Sequence, residues 1–269
     1  MLRPRIIPCL LIHNGGLVKT IKFTDPKYVG DPLNAVRIFN EKIVDELIVL
    51  DIDATILNIP PNYKLIGELA GECRMPLCYG GGVKSLEEVE HIISLGVEKV
   101  AISSAALADQ DLIKKSSERV GNQSIVVVID VKKSGLISKR YEVFTHNGKR
   151  STGVHPVEFA QTMESLGAGE IVVNCIDKDG TLKGYDMDLI DGIRNAVTIP
   201  ITILGGAGSQ KHISDLFQRF GVIGAAAGSL FVFKGKYRAV LIQYPSKIEK
   251  NLICCQDDVN SMAKSPTSG

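Results

Sequence analysis

The 269-residue chain carries 31 basic and 30 acidic side chains, for a net charge of +1, and 45% of its residues are hydrophobic. This balance predicts neither a nucleic-acid partner nor a membrane-surface partner, and no apolar run reaches the roughly 18 residues that span a bilayer. The six cysteines lack metal-ligand spacing and lie mostly in apolar surroundings. We therefore expect a cytoplasmic protein with reduced core cysteines.

Short apolar runs recur along the whole chain, and they predict eight strands at 5–11, 46–52, 75–79, 99–103, 124–130, 170–175, 199–204 and 222–227. Helical patterns lie between them. Ser85 and Glu88 fit a capping box at one helix start, Pro156 begins a second helix, and apolar residues follow Ser209 at helical spacing. The alternation favours a closed parallel (β/α)8 barrel, the TIM barrel, over a doubly wound open sheet. We assign residues 1–250 to this one domain and 251–269 to a polar, disordered tail.

Two long connections interrupt this alternation, and each follows the C-terminal end of a predicted strand. Residues 13–32 form a predicted loop rich in glycine and lysine, and residues 139–151 include EVFTHNGKR. In the second connection Asn147 and Gly148 predict the turn of a hairpin. Barrel enzymes build their sites at this end of the strands, so both connections are expected near a site.

An internal repeat relates the two halves of the chain. The segments IVLDID, YGGGV and AISSA recur as VVNCID, LGGAG and AAGSL, and the same number of positions separates Asp53 from Asp177 as separates Gly81 from Gly205. The repeat predicts two similar half-barrels on opposite sides of the barrel axis.

Each half carries glycine and serine residues after its strands that suit an anion. The first set is Gly81, Gly82, Ser103 and Ser104, and the second set is Gly205, Gly206, Gly228 and Ser229. Glycine lets the backbone approach a ligand closely, and a helix start presents free N–H groups to it. Strand-to-helix turns alone would also explain the glycines, but two symmetric sets favour a ligand with two phosphate ends.

A lone carboxylate ends the apolar run SIVVVIDVK at 124–132. This residue, Asp130, follows a strand that is predicted to be buried on both faces, and it is our predicted catalytic residue. The five histidines are scattered, and none pairs with another at ligand spacing. The sequence therefore predicts no metal site and no other cofactor.

Several segments together resemble HisF, the cyclase subunit of imidazole glycerol phosphate synthase. They are RIIPCL, FNEKIVDELIVLDI, YGGGV, GVEKVAISSAA, VVVIDVK, LGAGEIVVNCIDKDGTLKGYD and LGGAG, and the resemblance runs from residue 5 to about residue 233. It implies a (β/α)8 barrel that forms a heterodimer with a HisH-like glutaminase docked on its bottom face. Ammonia would pass through the barrel to a substrate with two phosphates, where lyase and ring-closure chemistry follow.

The resemblance also implies roles for single residues. Asp130 matches the family's catalytic aspartate on strand 5, whereas Leu11 stands where a second catalytic aspartate is expected on strand 1. A leucine cannot exchange a proton, so acid–base work shared by two carboxylates cannot proceed as in the family. The matching substrate-binding positions are Lys19, Asp51 and Asp179, and the matching ammonia-gate positions are Arg5, Glu46, Lys99 and Glu170. The four gate residues would otherwise be surface charges that flank strands.

The sequence keeps all four gate residues but has Leu11 in place of the strand-1 aspartate. This combination resembles that of a paralogous branch of the family, which is linked to surface-polysaccharide gene sets. In that branch the ammonia would serve the amidation of a phosphate-containing or nucleotide-linked sugar in O-antigen or lipopolysaccharide biosynthesis, with a further amidotransferase as partner. One alternative is an authentic cyclase of histidine biosynthesis, in which Asp53 or His13 replaces the missing acid. Another is a non-catalytic scaffold that only activates the glutaminase.

Overall fold

Eight parallel strands close into a barrel in the computed structural model, which describes residues 3–135 and 140–254. The strands are β1 (Arg5–His13), β2 (Leu47–Asp51), β3 (Leu77–Gly80), β4 (Lys99–Ile102), β5 (Ile125–Ser134), β6 (Glu170–Cys175), β7 (Ile201–Leu204) and β8 (Gly224–Ala227). Each strand pairs in parallel with the next, and β8 closes the barrel by pairing with β1, where Arg5 lies opposite Gly224. The predicted TIM barrel is confirmed.

Helices follow the strands and form the outer layer. They are α1 (Pro32–Glu41), α2 (Tyr63–Glu72), α3 (Leu86–Ser94), α4 (Asp111–Val120), α5 (Pro156–Ser165), α6 (Met187–Arg194), α7 (Gln210–Phe220) and α8 (Lys247–Cys254). Shorter helices span Ala54–Leu57, Ser104–Ala108 and Ser229–Val232, and a 3-10 turn spans Asn122–Ser124. Side-chain caps fix several starts: Ser85 and Glu88 form the predicted capping box before α3, and Ser209 caps α7. No helix in the described ranges is long and apolar enough to cross a bilayer.

Two apolar layers follow from the two-residue period of the strands. On β1, Ile6 and Leu10 face the helices, whereas Ile7 and Cys9 face the barrel interior, and all four are buried. Apolar side chains on both faces explain the uninterrupted runs in the sequence. The interior layer consists mainly of Ile7, Cys9, Leu11, Ile48, Cys78, Ala101, Val126, Val128, Val172, Leu204 and Ala226.

The two long connections both form antiparallel hairpins at the C-terminal end of the barrel. Residues 13–32, predicted as a loop, contain the paired strands Gly16–Ile21 and Thr24–Gly30, so that prediction missed regular structure. Gly16 contributed to the loop prediction, but packing within the hairpin favours a glycine there. The ring of Tyr28 lies where a side chain at residue 16 would stand. The second hairpin has the arms Arg140–Thr145 and Arg150–Ser151, and the predicted turn at Asn147 is confirmed.

A hairpin and a long helix follow the short helix Ser229–Val232 in the part of the chain that the structure describes. Short strands Phe233–Lys234 and Ala239–Val240 pair in a third hairpin. The last helix, α8, continues to Cys254 and packs on α7, so regular structure crosses the predicted domain boundary at residue 250. The rest of the predicted tail, 255–269, lies outside the described residues.

Candidate functional site

A cavity of about 370 Å³ opens at the C-terminal end of the barrel, within the size range of small-molecule sites. Its wall brings together the predicted catalytic residue, one predicted substrate-binding residue and the first predicted phosphate set. These are Asp130, Asp51, Gly81, Gly82, Ser103 and Ser104. Residues that were not predicted as site residues also line it, among them Lys84, His146 and Asn174.

Asp130 lies deep in this cavity beside Asn174 on the neighbouring strand. The two residues are directly opposite in the β5–β6 pair, and Asn174 Nδ2 donates a hydrogen bond of 2.9 Å to Asp130 Oδ1. Burial raises the pKa of Asp130 to about 7, the Asn174 N–H opposes this shift, and the charge of Asp179 adds to it. A carboxyl group with such a pKa can both donate and accept a proton near neutral pH.

Asn174 Oδ1 is buried and has no hydrogen-bond partner within the part of the chain that the structure describes. The hydrogen bond from Asn174 Nδ2 favours the carboxylate form of Asp130, against the effect of burial.

Leu11 occupies the β1 side of the cavity, 8% exposed, among the other apolar side chains of the barrel interior. The two proposed substitutes for its missing carboxylate are engaged with each other: His13 Nδ1 and Asp53 Oδ1 are 2.7 Å apart, and the other Asp53 oxygen accepts the Asn14 N–H. Neither His13 nor Asp53 is among the cavity-lining residues. The structure therefore does not place a second acid at the strand-1 position.

The first glycine loop is shaped by its close approach to β2. Gly81 has a φ of +120°, and a Cβ there would lie 2.3 Å from the Asp51 carbonyl oxygen. Asp51 in turn accepts the backbone N–H groups of Asp53 and Ala54, which fixes the start of the short helix Ala54–Leu57. Burial raises the pKa of Asp51, although these backbone donors oppose the shift. Lys84 adds a positive charge to the wall and donates to Asn58.

The second predicted phosphate set lies in a separate recess of about 10 Å³, together with Asp179. The connection after β6 packs over this recess: Gly184 N donates to the Gly206 carbonyl, and a Cβ on Gly208 would lie 2.3 Å from the Leu182 carbonyl oxygen. The two phosphate sets therefore sit in unlike surroundings, one in an open cavity and one under a loop.

Asp179 and Lys19, both predicted to bind substrate, connect the first hairpin to the rest of the barrel. Asp179 Oδ2 accepts the Thr20 hydroxyl at 2.9 Å, and the Asp179 carbonyl accepts the Lys22 N–H. Lys19 is 3% exposed and donates to the Cys9 carbonyl. Asp179 holds the hairpin Gly16–Ile21 and Thr24–Gly30 across the mouth of the barrel, so its oxygen is already used in positioning that hairpin.

At the opposite, N-terminal mouth, the four predicted gate residues form one ring of ion pairs. Lys99 Nζ lies 2.8 Å from both Glu46 and Glu170, and Arg5 bridges the same two carboxylates. Burial works against the charge of Glu170, but Arg5 and Lys99 outweigh it and lower the pKa of Glu170 to about 2. Thr202 donates a further hydrogen bond to Glu170. The alternative of four independent surface charges does not fit this geometry.

No group of three or more histidine, cysteine or acidic residues is arranged to hold a metal ion within residues 3–135 and 140–254. The functional groups of the described site are carboxyl groups, amides, hydroxyls, lysines, a histidine and backbone N–H groups.

Comparison with known proteins gives the family of this chain. A family model described as "Histidine biosynthesis protein" matches residues 5–238. A protein of Leptospira borgpetersenii, provisionally named imidazole glycerol phosphate synthase subunit HisF, is 55% identical over 253 residues, which cover 94% of this chain and 99% of the relative. The chain belongs to the HisF family. The resemblance predicted from its motifs is confirmed.

Two further HisF-family relatives carry numbered provisional names. Subunit hisF3 of Vibrio vulnificus is 56% identical over 250 residues, covering 93% of this chain and 96% of the relative. Subunit hisF2 of Pseudomonas aeruginosa is 56% identical over 245 residues, covering 91% and 97% respectively. This HisF-family chain thus aligns with its relatives over almost their full length.

Proposed function

We propose that this chain is the synthase subunit of a glutamine amidotransferase system and that it receives ammonia from a HisH-like glutaminase. The observation that carries the proposal is the complete ring of Arg5, Glu46, Lys99 and Glu170 at the N-terminal mouth. Four charges inside a barrel mouth are costly unless they are paired, so their joint presence points to a use. The names of the relatives, which are subunits of imidazole glycerol phosphate synthase, support the same partner.

Between the ring and the cavity the barrel interior is apolar and contains small side chains. Cys9, Cys78, Ala101 and Ala226 all lie in this layer. Neutral ammonia enters such surroundings at much lower cost than ammonium does, because burying an isolated charge is strongly unfavourable. The layer therefore suits passage of the uncharged molecule from the bottom face to the cavity.

The substrate that receives the ammonia is proposed to be a phosphorylated or nucleotide-linked sugar, amidated in O-antigen or lipopolysaccharide biosynthesis, with a further amidotransferase as partner. Leu11 supports this choice, because the β1 side of the cavity offers a leucine where the ring-closing chemistry of the family would use a second catalytic aspartate. Asp130 is the proposed catalytic residue, and the glycine and serine sets are the proposed phosphate ligands. The numbered names of the relatives fit a paralogous branch.

Co-purification with the HisH-like glutaminase of the same organism tests the proposal. We expect a heterodimer and at least a tenfold rise in glutamine hydrolysis when the complex is supplied with the phosphorylated sugar. The glutaminase alone and the mixture without sugar are the controls. If the two chains neither associate nor stimulate glutamine hydrolysis, the ammonia proposal is wrong, whatever the substrate.

A second candidate, the authentic cyclase of histidine biosynthesis, is favoured by the names of the relatives. We expect the chain to fail to rescue a histidine auxotroph that lacks its own cyclase, because Leu11 offers no proton. The variant Leu11→Asp places a carboxylate in the cavity that holds Asp130 and is expected to restore growth. Leu11→Asn, which is close in size but not acidic, is the matched control. Growth supported by the unaltered chain would favour the histidine-pathway cyclase.

A further inference from the structure

Lys19 stands on the inner side of the turn that ends β8. A Cβ added to Gly228 would lie 2.0 Å from Lys19 Nζ, so the ammonium group touches the backbone of the second phosphate recess. Lys19 is almost fully buried, and its hydrogen bond goes to the Cys9 carbonyl. A buried ammonium group next to a glycine turn can bind an anion together with the backbone N–H groups of the turn.

Two more cations stand on the outer side of the same turn. Arg238 Nη2 lies 3.4 Å from the Ser229 hydroxyl, and Arg238 Nε is buried without a hydrogen-bond partner in the part of the chain that the structure describes. Lys27, from the first hairpin, donates to the Arg238 carbonyl at 2.8 Å. Both cations pack on the Phe233 ring, at 4.6 Å and 5.0 Å from its centre.

Lys19, Lys27 and Arg238 form no ion pair within residues 3–135 and 140–254. The carboxyl group of Asp179 lines the same recess, where its Oδ2 accepts the Thr20 hydroxyl, and it is one acid against three cations. Like charges held close together are unfavourable unless a counter-charge binds between them. A phosphoryl group supplies that charge together with several acceptor oxygens.

We infer that Lys27 and Arg238 extend the second phosphate recess into a subsite for a diphosphate. The phosphoryl group nearer the barrel axis contacts Lys19 and the Gly228 backbone, and the outer one contacts Arg238, Lys27 and the Ser229 hydroxyl. This inference rests on the proposed function for the phosphorylated substrate and narrows its class to compounds that carry two linked phosphoryl groups. The subsite joins residues from the first hairpin and from the hairpin after β8. Neither hairpin is part of the sequence repeat that relates the two half-barrels.

Titration of the full-length, 15N-labelled chain with inorganic pyrophosphate and, separately, with inorganic phosphate tests the inference. The amide signals of Ser104 and Ser229 report the two phosphate sets, and the Nε–H signal of Arg238 reports the outer subsite. We expect both probes to shift Ser229 and only pyrophosphate to shift the Arg238 signal. Arg238→Gln and Lys27→Gln are expected to weaken pyrophosphate binding at Ser229 at least fivefold and phosphate binding less than twofold.

The matched control is Lys236→Gln, which removes one charge from an exposed position of the same hairpin. It is expected to change either affinity less than twofold, and melting without ligand confirms that each variant is folded. Equal weakening of both probes, or an equal effect of Lys236→Gln, would overturn the diphosphate subsite. Shifts at Ser104 without shifts at Ser229 would also overturn it but leave the proposed phosphorylated substrate standing. A lack of shifts at both residues would count against the subsite and the phosphorylated substrate together.

Discussion

Replacing Asp130 with asparagine is expected to remove turnover while making the protein more stable at pH 8. As the proposed proton donor and acceptor of the cavity, Asp130 accounts for a rate factor of about 100 or more. Its replacement also removes a charge that burial disfavours. The new amide oxygen can still accept from Asn174 Nδ2, so this hydrogen bond is kept while the buried charge is lost. We expect the free energy of unfolding to rise by about 1–3 kcal/mol.

The pH dependence of this gain has a definite sign. Because burial raises the folded-state pKa of Asp130 to about 7 from 3.8, the native state binds this proton more tightly than the unfolded chain does. The stabilising contribution of the protonated form is complete below about pH 4 and is lost as the pH rises through 7. The variant should therefore match the wild type near pH 4 and exceed it increasingly up to pH 8.

Urea unfolding at both pH values measures the stability. Product formation in the complex with glutaminase, supplied with glutamine, the sugar and the further amidotransferase, measures turnover. Asp188→Asn, at an exposed position, is the control and is expected to stay within about 0.5 kcal/mol of the wild type at each pH. Unchanged turnover in Asp130→Asn would favour the scaffold hypothesis. A loss of stability at pH 8 would contradict the burial cost assigned to Asp130.

The position of Asp130 at the C-terminal end of the barrel could be predicted from the sequence, but the residues around it could not. A carboxylate at the end of an apolar strand is visible locally, because the strand pattern alone fixes which end of the barrel it reaches. Its partner Asn174 depends on the register between β5 and β6, which no local pattern encodes. The same holds for Arg238, whose contact with Ser229 requires the fold of a hairpin after β8.

The first hairpin shows how tertiary contacts decide the role of a residue that a motif identifies. Asp179 matched a substrate-binding position, yet its oxygen holds Thr20 and so fixes the hairpin over the barrel mouth. Glycine and lysine in residues 13–32 suggested an irregular loop. The segment is nevertheless ordered, because β1 and the connection after β6 supply its hydrogen-bond partners. Local propensity is weak where distant partners supply the hydrogen bonds.

The ring of ion pairs at the N-terminal mouth of the barrel is expected to contribute strongly to the free energy of unfolding. Replacing Lys99 with methionine leaves Arg5 alone between Glu46 and Glu170, so one buried negative charge lacks compensation. Removing one member of a buried ion pair costs about 3–5 kcal/mol, and we expect a loss of that size in the free energy of unfolding at pH 7. Lys211→Met makes the same side-chain change in an exposed pair with Asp215 and is expected to cost less than about 0.5 kcal/mol.

Acid titration separates charge compensation from simple loss of packing. The pKa of Glu170 is about 2 in the folded chain and 4.5 ordinarily, so its stabilising contribution is present above pH 4.5 and is lost as the pH falls toward 2. Lys99→Met removes one of the two cations that lower this pKa, so stability should fall less steeply across that window than in the wild type. Adding Glu170→Gln restores the balance of charge in the ring, and the double variant is expected to lose less than the two single changes combined. Strict additivity, with an unchanged acid slope, would mean that the four charges act independently and would remove the physical basis for treating them as one gate.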